Sequence, residues 1–388
     1  MFVNLELAMG MAVILLTLMA VIMAITLTIK IGKIRKEKKT QECLQKHQNY
    51  LDYVQTAMDL REDIQPPASA LNKFERKVFQ QLLSEWINRL SGIHKEKLIQ
   101  LCEDMGLTAF NLKRLNSSMH INRIDAAYYL GTMRHTPAVP HLFTLLRKNK
   151  FDSTIYIIGR SIAQASEKPE EVGEMLEYLA DGKKSTYQLL ADIAKEASVD
   201  LKECYFRFLT SQNPALIKVG LIGLRDEVGP EVPASVRKLM TSNDKATRML
   251  TIQILTASMA LSAKEVVTLA KATDDQVRML IFEWIGETEQ LRFTELLEEG
   301  LHSRNLEVAR TCAKSLLGLG NVGFSILCKA ALETDSASGS KIALDAVHEE
   351  LDQYENAEED VEQLNHFNQK QFLYKKFFGK DRSLVEAI

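Results

Sequence analysis

The sequence is poor in the residues that interrupt helices. Its 388 residues include 18 glycines and 8 prolines, about 7% of the chain, whereas average proteins hold roughly 12%. An all-β fold needs a turn signal roughly every 8 to 12 residues, so this scarcity argues against a sandwich or barrel. Because 46% of the residues are hydrophobic and 26% are charged, the chain is neither disordered nor polytopic. We therefore expect an all-α fold with a buried core.

Patterns typical of metal sites and disulfides are also missing. The five cysteines form an odd number without a C-x-x-C pair, which favours buried free thiols over a disulfide framework or a zinc module. The eight histidines are scattered, and the nearest pair, His135 and His141, flanks two prolines. We therefore predict no bound metal.

An excess of positive charge is absent from most of the chain. There are 48 basic and 51 acidic residues, but residues 1–39 hold six basic and two acidic ones, so the remainder has a net charge of −7. Nucleic acids and anionic membranes attract a net positive surface. We therefore predict no nucleic-acid partner.

Catalytic signatures are absent as well. The sequence has no G-x-S-x-G motif and no P-loop. Residues 318–323 match the dinucleotide fingerprint G-x-G-x-x-G, but that motif binds a cofactor only between a strand and a helix. Here it follows a predicted helix, so we interpret it as a helix cap and a turn. We predict no catalytic residue, no cofactor and no enzymatic activity.

The N-terminal region contains a long uncharged run. Residues 7–29 carry no charge and would form a helix about 34 Å long, enough to cross a hydrocarbon core of about 30 Å. A cleaved signal peptide would have a basic start and a shorter apolar run. Here the only charged residue before the run is the acidic Glu6. We therefore predict one transmembrane helix at 7–29.

A basic cluster follows this run and predicts its orientation. Its members are Lys30, Lys33, Arg35, Lys36, Lys38 and Lys39. Because such residues stay on the cytoplasmic side, we expect a single-pass protein of the cell membrane with residues 1–6 outside and the rest in the cytoplasm. Attraction of anionic lipid headgroups is an alternative role for the cluster, but we favour the topology signal alone. We assign residues 30–67 to this basic segment and a helical stalk, ended by Pro66 and Pro67.

A frame of about 31 residues recurs over most of the remaining chain. Taking Arg123 as the leading position of the frame, its equivalents are Ile155, Thr186, Lys218, Arg248, Arg278, Arg310 and Lys341. Residues three and seven positions further on are mostly apolar and share one helix face. Helix pairs of this length bury their apolar faces only by stacking on neighbouring pairs. The frame therefore predicts an α-solenoid, which we place at 68–353.

Residues at both ends of the frame are suited to capping helices. Predicted N-caps are Ser118, Asp152, Asn213, Asp244, Asp274 and Asn305. Such side chains accept hydrogen bonds from free backbone amides. Gly131, Gly286 and Gly318 lie eight residues after the leading position of their repeats, where we expect left-handed C-caps.

The leading position of the frame is usually basic. Arg123, Lys218, Arg248, Arg278, Arg310 and Lys341 form this ladder. In the functional interpretation, the cations of this ladder bind successive phosphates along a nucleic-acid backbone. In the structural interpretation, which we favour, each cation bonds a capping acid or carbonyl of its own or the adjacent repeat, such as Asp244 near Arg248 or Asp274 near Arg278.

The tail at 354–388 changes from acidic to basic and aromatic. An acidic run is followed by the candidate docking residues Phe372, Tyr374, Lys375, Lys376, Phe377 and Phe378. Two interpretations stand side by side. The segment is either an amphipathic helix for the membrane interface or a partner, or a cover for the open end of the solenoid.

The frame resembles a known repeat. Its pattern V-R-x-x-A-A-x-x-L-G with a proline-opened second helix, clearest at 123–131, 277–286 and 309–318, is similar to the bacterial type of HEAT repeat over about residues 115–350. The resemblance implies a right-handed α-solenoid of about eight helix pairs that acts as a protein-binding scaffold. Membrane-anchored HEAT proteins of this size resemble accessories of envelope or exopolysaccharide systems, which implies a membrane glycosyltransferase as a partner. The alternative is a HEAT-like nucleic-acid-binding protein or lyase-type enzyme.

Overall fold

The fold is helical throughout the part of the chain that can be described. The computed structural model describes residues 2–60, 62–149, 153–182, 186–225, 229, 232–333, 337–355 and 361–379. Over these ranges the chain forms 21 α-helices and three short 3₁₀ helices, with no strand. The prediction of an all-α protein is confirmed.

The helices belong to two compact units, Met1–Leu201 and Lys202–Ile388. The helices of the first unit, α1 to α10, are Phe2–Lys46, Gln48–Asp59, Lys73–Arg89, Gly92–Asp104, Leu107–Leu115, His120–Thr132, Val139–Lys148, Thr154–Ala165, Pro169–Ala180 and Tyr187–Lys195. Those of the second unit, α11 to α21, are Lys202–Phe208, Pro214–Leu224, Ala234–Lys238, Lys245–Ala257, Ala263–Ala270, Asp275–Glu287, Thr294–Leu301, Leu306–Gly318, Gly320–Ala331, Ala337–Glu355 and Val361–Phe378. The domain predicted at 68–353 includes parts of both units.

The recurring frame corresponds to one helix in each repeat. These frame helices are α6, α8, α10, α12, α14, α16, α18 and α20, and one further α-helix follows each in the sequence. In the first unit α8 packs against α6 and α10, and in the second unit α12, α14, α16, α18 and α20 pack in succession. The repeat interpretation therefore describes the internal organisation of each unit.

The frame also identifies the core. The side chain seven residues after the leading position is fully buried in five repeats, as Leu130, Ile162, Ile193, Leu255 and Ile285. In a sixth repeat this side chain, Leu317, is half-buried. These side chains repeat on one face of each helix, so burying them holds successive frame helices together.

Four predicted N-caps are observed as such. The side chains of Asn213, Asp244, Asp274 and Asn305 each accept a hydrogen bond from a backbone amide in the first turn of the following helix. Ser118 does not cap α6, whose N-cap is Met119 and makes no side-chain bond. Asp152 lies outside the described residues.

The glycines predicted as left-handed C-caps have another role. A Cβ on Gly131 would lie 2.5 Å from Ser161 Cα on α8, and one on Gly286 would lie 2.6 Å from Ser315 Cα on α18. A Cβ on Gly318 would lie 3.0 Å from the Gly286 carbonyl oxygen. The cap prediction is wrong for these residues, because they lie inside helices that approach one another too closely for a side chain.

The left-handed residue beyond α18 is Gly320, with φ of 65°, but those at the ends of α6, α14 and α16 are not glycine. They are Arg134, Met259 and Glu289, with φ of 47°, 54° and 52°. After each, the next backbone N–H donates to a carbonyl five residues earlier, as from His135 to Leu130 at 3.0 Å. This is the Schellman arrangement, which satisfies carbonyls left free at a helix end.

The predicted stalk differs from the structure at its second half. Helix α2 ends at Asp59, before the two prolines that were expected to end the stalk. It is not an extended stalk, because it packs into the first unit. Leu51 and Val54 are buried, and they belong to core clusters with Phe79 of α3 and Leu98 of α4. The folded part of the first unit therefore begins well before residue 68.

Candidate interaction surfaces

Helix α1 presents an apolar surface followed by a basic one. Every side chain from Leu15 to Ile29 is exposed. The helix from Leu15 to Lys46 is long and apolar enough to cross a membrane, although a signal sequence would meet the same criteria. The six residues of the predicted basic cluster are all exposed on the same helix. They occupy about 14 Å of its length, so the structure brings them together directly after the apolar surface.

Two arginines of the ladder make the same contacts in different repeats. Arg123 Nη1 donates to the backbone oxygens of Ser117 and Ser118 at 2.8 and 3.1 Å. Arg248 Nη1 donates to those of Ser242 and Asn243 at 2.7 and 3.0 Å. In both repeats these carbonyls lie six and five residues before the arginine. Both guanidinium groups therefore hold the turn that precedes their own helix.

Capping residues of the second unit connect successive repeats. Lys218 Nζ of α12 lies 3.1 Å from a carboxylate oxygen of Asp244, the N-cap of α14. Lys245 Nζ of α14 lies 3.1 Å from Asp274, the N-cap of α16. The Thr247 hydroxyl lowers the pKa of Asp244 below its usual value, and Lys218 adds to this effect. Asp244 and Asp274 thus bond lysines of the preceding repeat, which the structural interpretation allowed, although its two examples paired them with arginines of their own repeat.

A third contact between successive repeats is made by a side-chain amide of a capping residue. Asn305, the N-cap of α18, donates through Nδ2 to Asp275 of α16 at 2.6 Å. Asp275 also bonds Arg278 of the ladder. This carboxylate is therefore shared between a contact within its helix and a contact to the next repeat.

The last two residues of the ladder are less constrained. Arg310 Nη1 lies 3.1 Å from Glu307, and both side chains are about two-thirds exposed. Lys341 is exposed. These two cations line a cleft of about 1050 Å³ between α18 and α20, together with the apolar Leu317 and Ile342. The ladder is therefore not one uniform row.

Replacing Arg248 and Arg310 should separate the two kinds of ladder residue. We expect Arg248→Ala to lower the free energy of unfolding by roughly 1–2 kcal/mol, because two turn carbonyls lose a charged donor. Arg310→Ala should change it by less than about 0.5 kcal/mol, since exposed pairs contribute little. Urea unfolding followed by circular dichroism measures both, and equal losses would contradict this assignment.

A second cleft lies in the first unit, along α6 and α8. It has a volume of about 820 Å³, and its lining includes Asn88, Tyr128, Ile157, Arg160 and Gln164. Asn88 donates to the Tyr128 hydroxyl at 3.1 Å. Tyr128 and Ile157 are 41% and 37% exposed. The cleft therefore offers accessible apolar groups beside amides and a guanidinium, which suits a peptide with mixed chemistry.

The basic and aromatic tail is largely folded onto the second unit. Tyr374, Phe377 and Phe378 of α21 pack against its core cluster, and the rings of Tyr374 and Phe378 stack at 4.7 Å. Lys370 is buried and bonds Glu350. Phe372 and Lys375 are exposed and Lys376 is half-buried. This packing favours the interpretation in which the segment covers other helices. Residues 356–360 of the acidic run lie outside the described part of the chain.

Cys43, His47 and Glu75 form a cluster in the first unit that the sequence analysis missed. One ligand atom from each lies within 4.8 Å of the others. Cys43 and Glu75 are buried, and the His47 side chain is 10% exposed. The only sequence signal was the spacing of Cys43 and His47, four residues apart and so on one helix face; Glu75 is distant in sequence.

Similarity to known proteins is found among solved structures. No family model matches the chain, and no curated protein matches it. One similar structure is a chain of the complex of CpcE and CpcF of phycocyanin lyase from Nostoc sp., with 14% identity over 69% of this chain and 94% of that chain and a TM-score of 0.27. Another is an engineered protein, with 15% identity over 69% of this chain and 96% of that chain and a TM-score of 0.15. The chain's own helices define it as an all-helical repeat protein.

Proposed function

We propose that this protein is a membrane-anchored scaffold whose helical repeats bind partner proteins in the cytoplasm. The proposal rests on two features of the first unit: its exposed apolar helix α1 and the open cleft along its repeat helices α6 and α8. Repeats of this kind present extended surfaces built from successive helices. The protein has no enzymatic activity of its own in this proposal.

The cytoplasmic location is supported by charge. Six exposed basic residues follow the apolar surface of α1, and basic residues beside a membrane segment stay on the cytoplasmic side. The burial of all five cysteines as free thiols also suits a reducing compartment.

The proposal excludes nucleic acid as the main ligand. Arg123 and Arg248 already bond turn carbonyls, and Lys218 bonds a capping acid. These cations are therefore engaged within the protein. The resemblance to anchored HEAT proteins extends the proposal to an accessory of an envelope or exopolysaccharide system, with a membrane glycosyltransferase as the partner.

Reporter fusions test the orientation. A phosphatase that is active only outside the cytoplasm, fused after Ile388, should be inactive, while the same reporter fused before Met1 should be active. A reporter that folds only in the cytoplasm should give the opposite pattern. Strong phosphatase activity of the C-terminal fusion would refute the proposed topology.

Crosslinking in intact cells, followed by purification from detergent-solubilised membranes, tests the scaffold. We expect one or a few membrane proteins to be captured at defined stoichiometry, and Tyr128→Ser with Ile157→Ser to reduce their capture at least about fivefold. Ile121→Ser is the control, because Ile121 is 59% exposed and does not line the cleft. Capture that is unchanged by the cleft variant would exclude this cleft as the docking surface.

A further inference from the structure

We propose that Cys43, His47 and Glu75 bind a zinc ion at the junction between α1, α2 and α3. The three side chains supply a thiolate, an imidazole and a carboxylate, the usual zinc ligands of proteins. Soft sulfur and imidazole ligands favour zinc over magnesium or calcium. Three protein ligands leave a fourth position for water or another group.

The distances already suit a tetrahedral ion. His47 Nε2 lies 3.3 Å from Glu75 Oε1. A zinc ion with bonds of about 2.0–2.2 Å holds its nitrogen and oxygen ligands roughly 3.3–3.4 Å apart. One ligand atom from each of Cys43, His47 and Glu75 lies within 4.8 Å of the others, so the Cys43 sulfur is near enough to serve as the third ligand.

The carboxylate is held in the orientation that a ligand needs. Glu75 Oε2 accepts from the backbone N–H of Asn72 at 2.9 Å, as part of the capping box that begins α3. This bond leaves Oε1 directed at His47. Metal ligands in proteins are commonly oriented by hydrogen bonds of this kind.

One cation now occupies the position next to that oxygen. Lys46 Nζ donates to Glu75 Oε1 at 2.7 Å, and this bond, with the amide of Asn72, lowers the pKa of the Glu75 carboxyl to about 2. The Lys46 side chain is 66% exposed, so its ammonium group is free to move into water. Zinc would replace it, while the Cys43 thiol gives its proton to solvent and binds as the thiolate.

Binding of cobalt(II) and zinc(II) to the full-length protein in detergent tests this site. We expect one cobalt ion per chain, with the visible bands of a tetrahedral ion and a thiolate-to-cobalt charge-transfer band, and complete displacement by zinc. Competition with a chelating dye should give a zinc Kd below about 10 μM. Absence of stoichiometric binding would overturn the proposal.

Variants separate a metal site from a purely structural ion pair. Cys43→Ser should abolish the charge-transfer band, and His47→Gln should weaken zinc binding at least about tenfold. Lys46→Met should tighten it severalfold, because the competing ammonium is gone. His94→Gln, which removes a histidine outside the cluster, should change nothing. A band that survives in Cys43→Ser, or weaker binding by Lys46→Met, would refute the assignment.

Discussion

A chain that begins at residue 68 is expected to lose most of the stability of the first unit, whereas one that begins at residue 40 should keep it. The shorter chain lacks Leu51, Val54 and Ile64, which are at most 7% exposed. Burial of such side chains contributes roughly 1.5–3 kcal/mol each, so the combined loss is about 5–9 kcal/mol. A whole domain has only about 5–15 kcal/mol of stability, so the first unit should be largely unfolded in the shorter chain.

Thermal unfolding and limited proteolysis of the two chains measure this difference. Both lack the apolar part of α1, and they differ in residues 40–67, which include the end of α1, helix α2 and the buried Ile64. We expect the residue-40 chain to unfold in a cooperative transition and to resist proteolysis between 73 and 195. Equal melting temperatures and equal resistance would show that α2 does not contribute to the fold.

Gly286→Ala is expected to lower the free energy of unfolding by about 2–4 kcal/mol, a large loss for one methyl group. In an exposed helix the same change usually gains about 1 kcal/mol. Here the new Cβ would lie 2.6 Å from Ser315 Cα and 2.9 Å from its carbonyl oxygen. Backbone atoms cannot rotate away, so α16 and α18 must separate.

Urea unfolding of the second unit measures the effect of this substitution. Glu287→Ala is the matched control, because Glu287 is the next residue of α16 and is exposed. It should change stability by less than about 0.5 kcal/mol. Gly131→Ala in the first unit should repeat the loss, since its Cβ would meet Ser161 Cα at 2.5 Å. Neutral glycine variants would contradict the close approach.

The sequence predicted the features that repeat. The frame anticipated the helices that contain Arg123, Arg248 and Arg278, and the apolar positions that form their cores, because helical periodicity is local and recurs about every 31 residues. Capping by Asp244 and Asp274 was predictable for the same reason, since a cap depends on residues two or three positions away.

Features that depend on a neighbouring helix were not predictable. Gly131 and Gly286 were assigned to helix ends because glycine favours that position, but the close approach of Ser161 and Ser315 requires the packed structure. The burial of α2 was missed because its apolar spacing is short and its partners lie 20 to 50 residues further along the chain. The Cys43 cluster was missed because Glu75 comes from a different helix.

The contacts between capping residues make neighbouring repeats of the second unit thermodynamically dependent on one another. Asp244, Asp274 and Asn305 each begin a helix and also bond a residue of the repeat before it. If one repeat opens, the first turn of the next loses a partner of its capping group, which adds to the nearest-neighbour coupling of stacked repeats. Helices α12 to α18 should therefore open as one cooperative block, with similar hydrogen-exchange protection in their first turns.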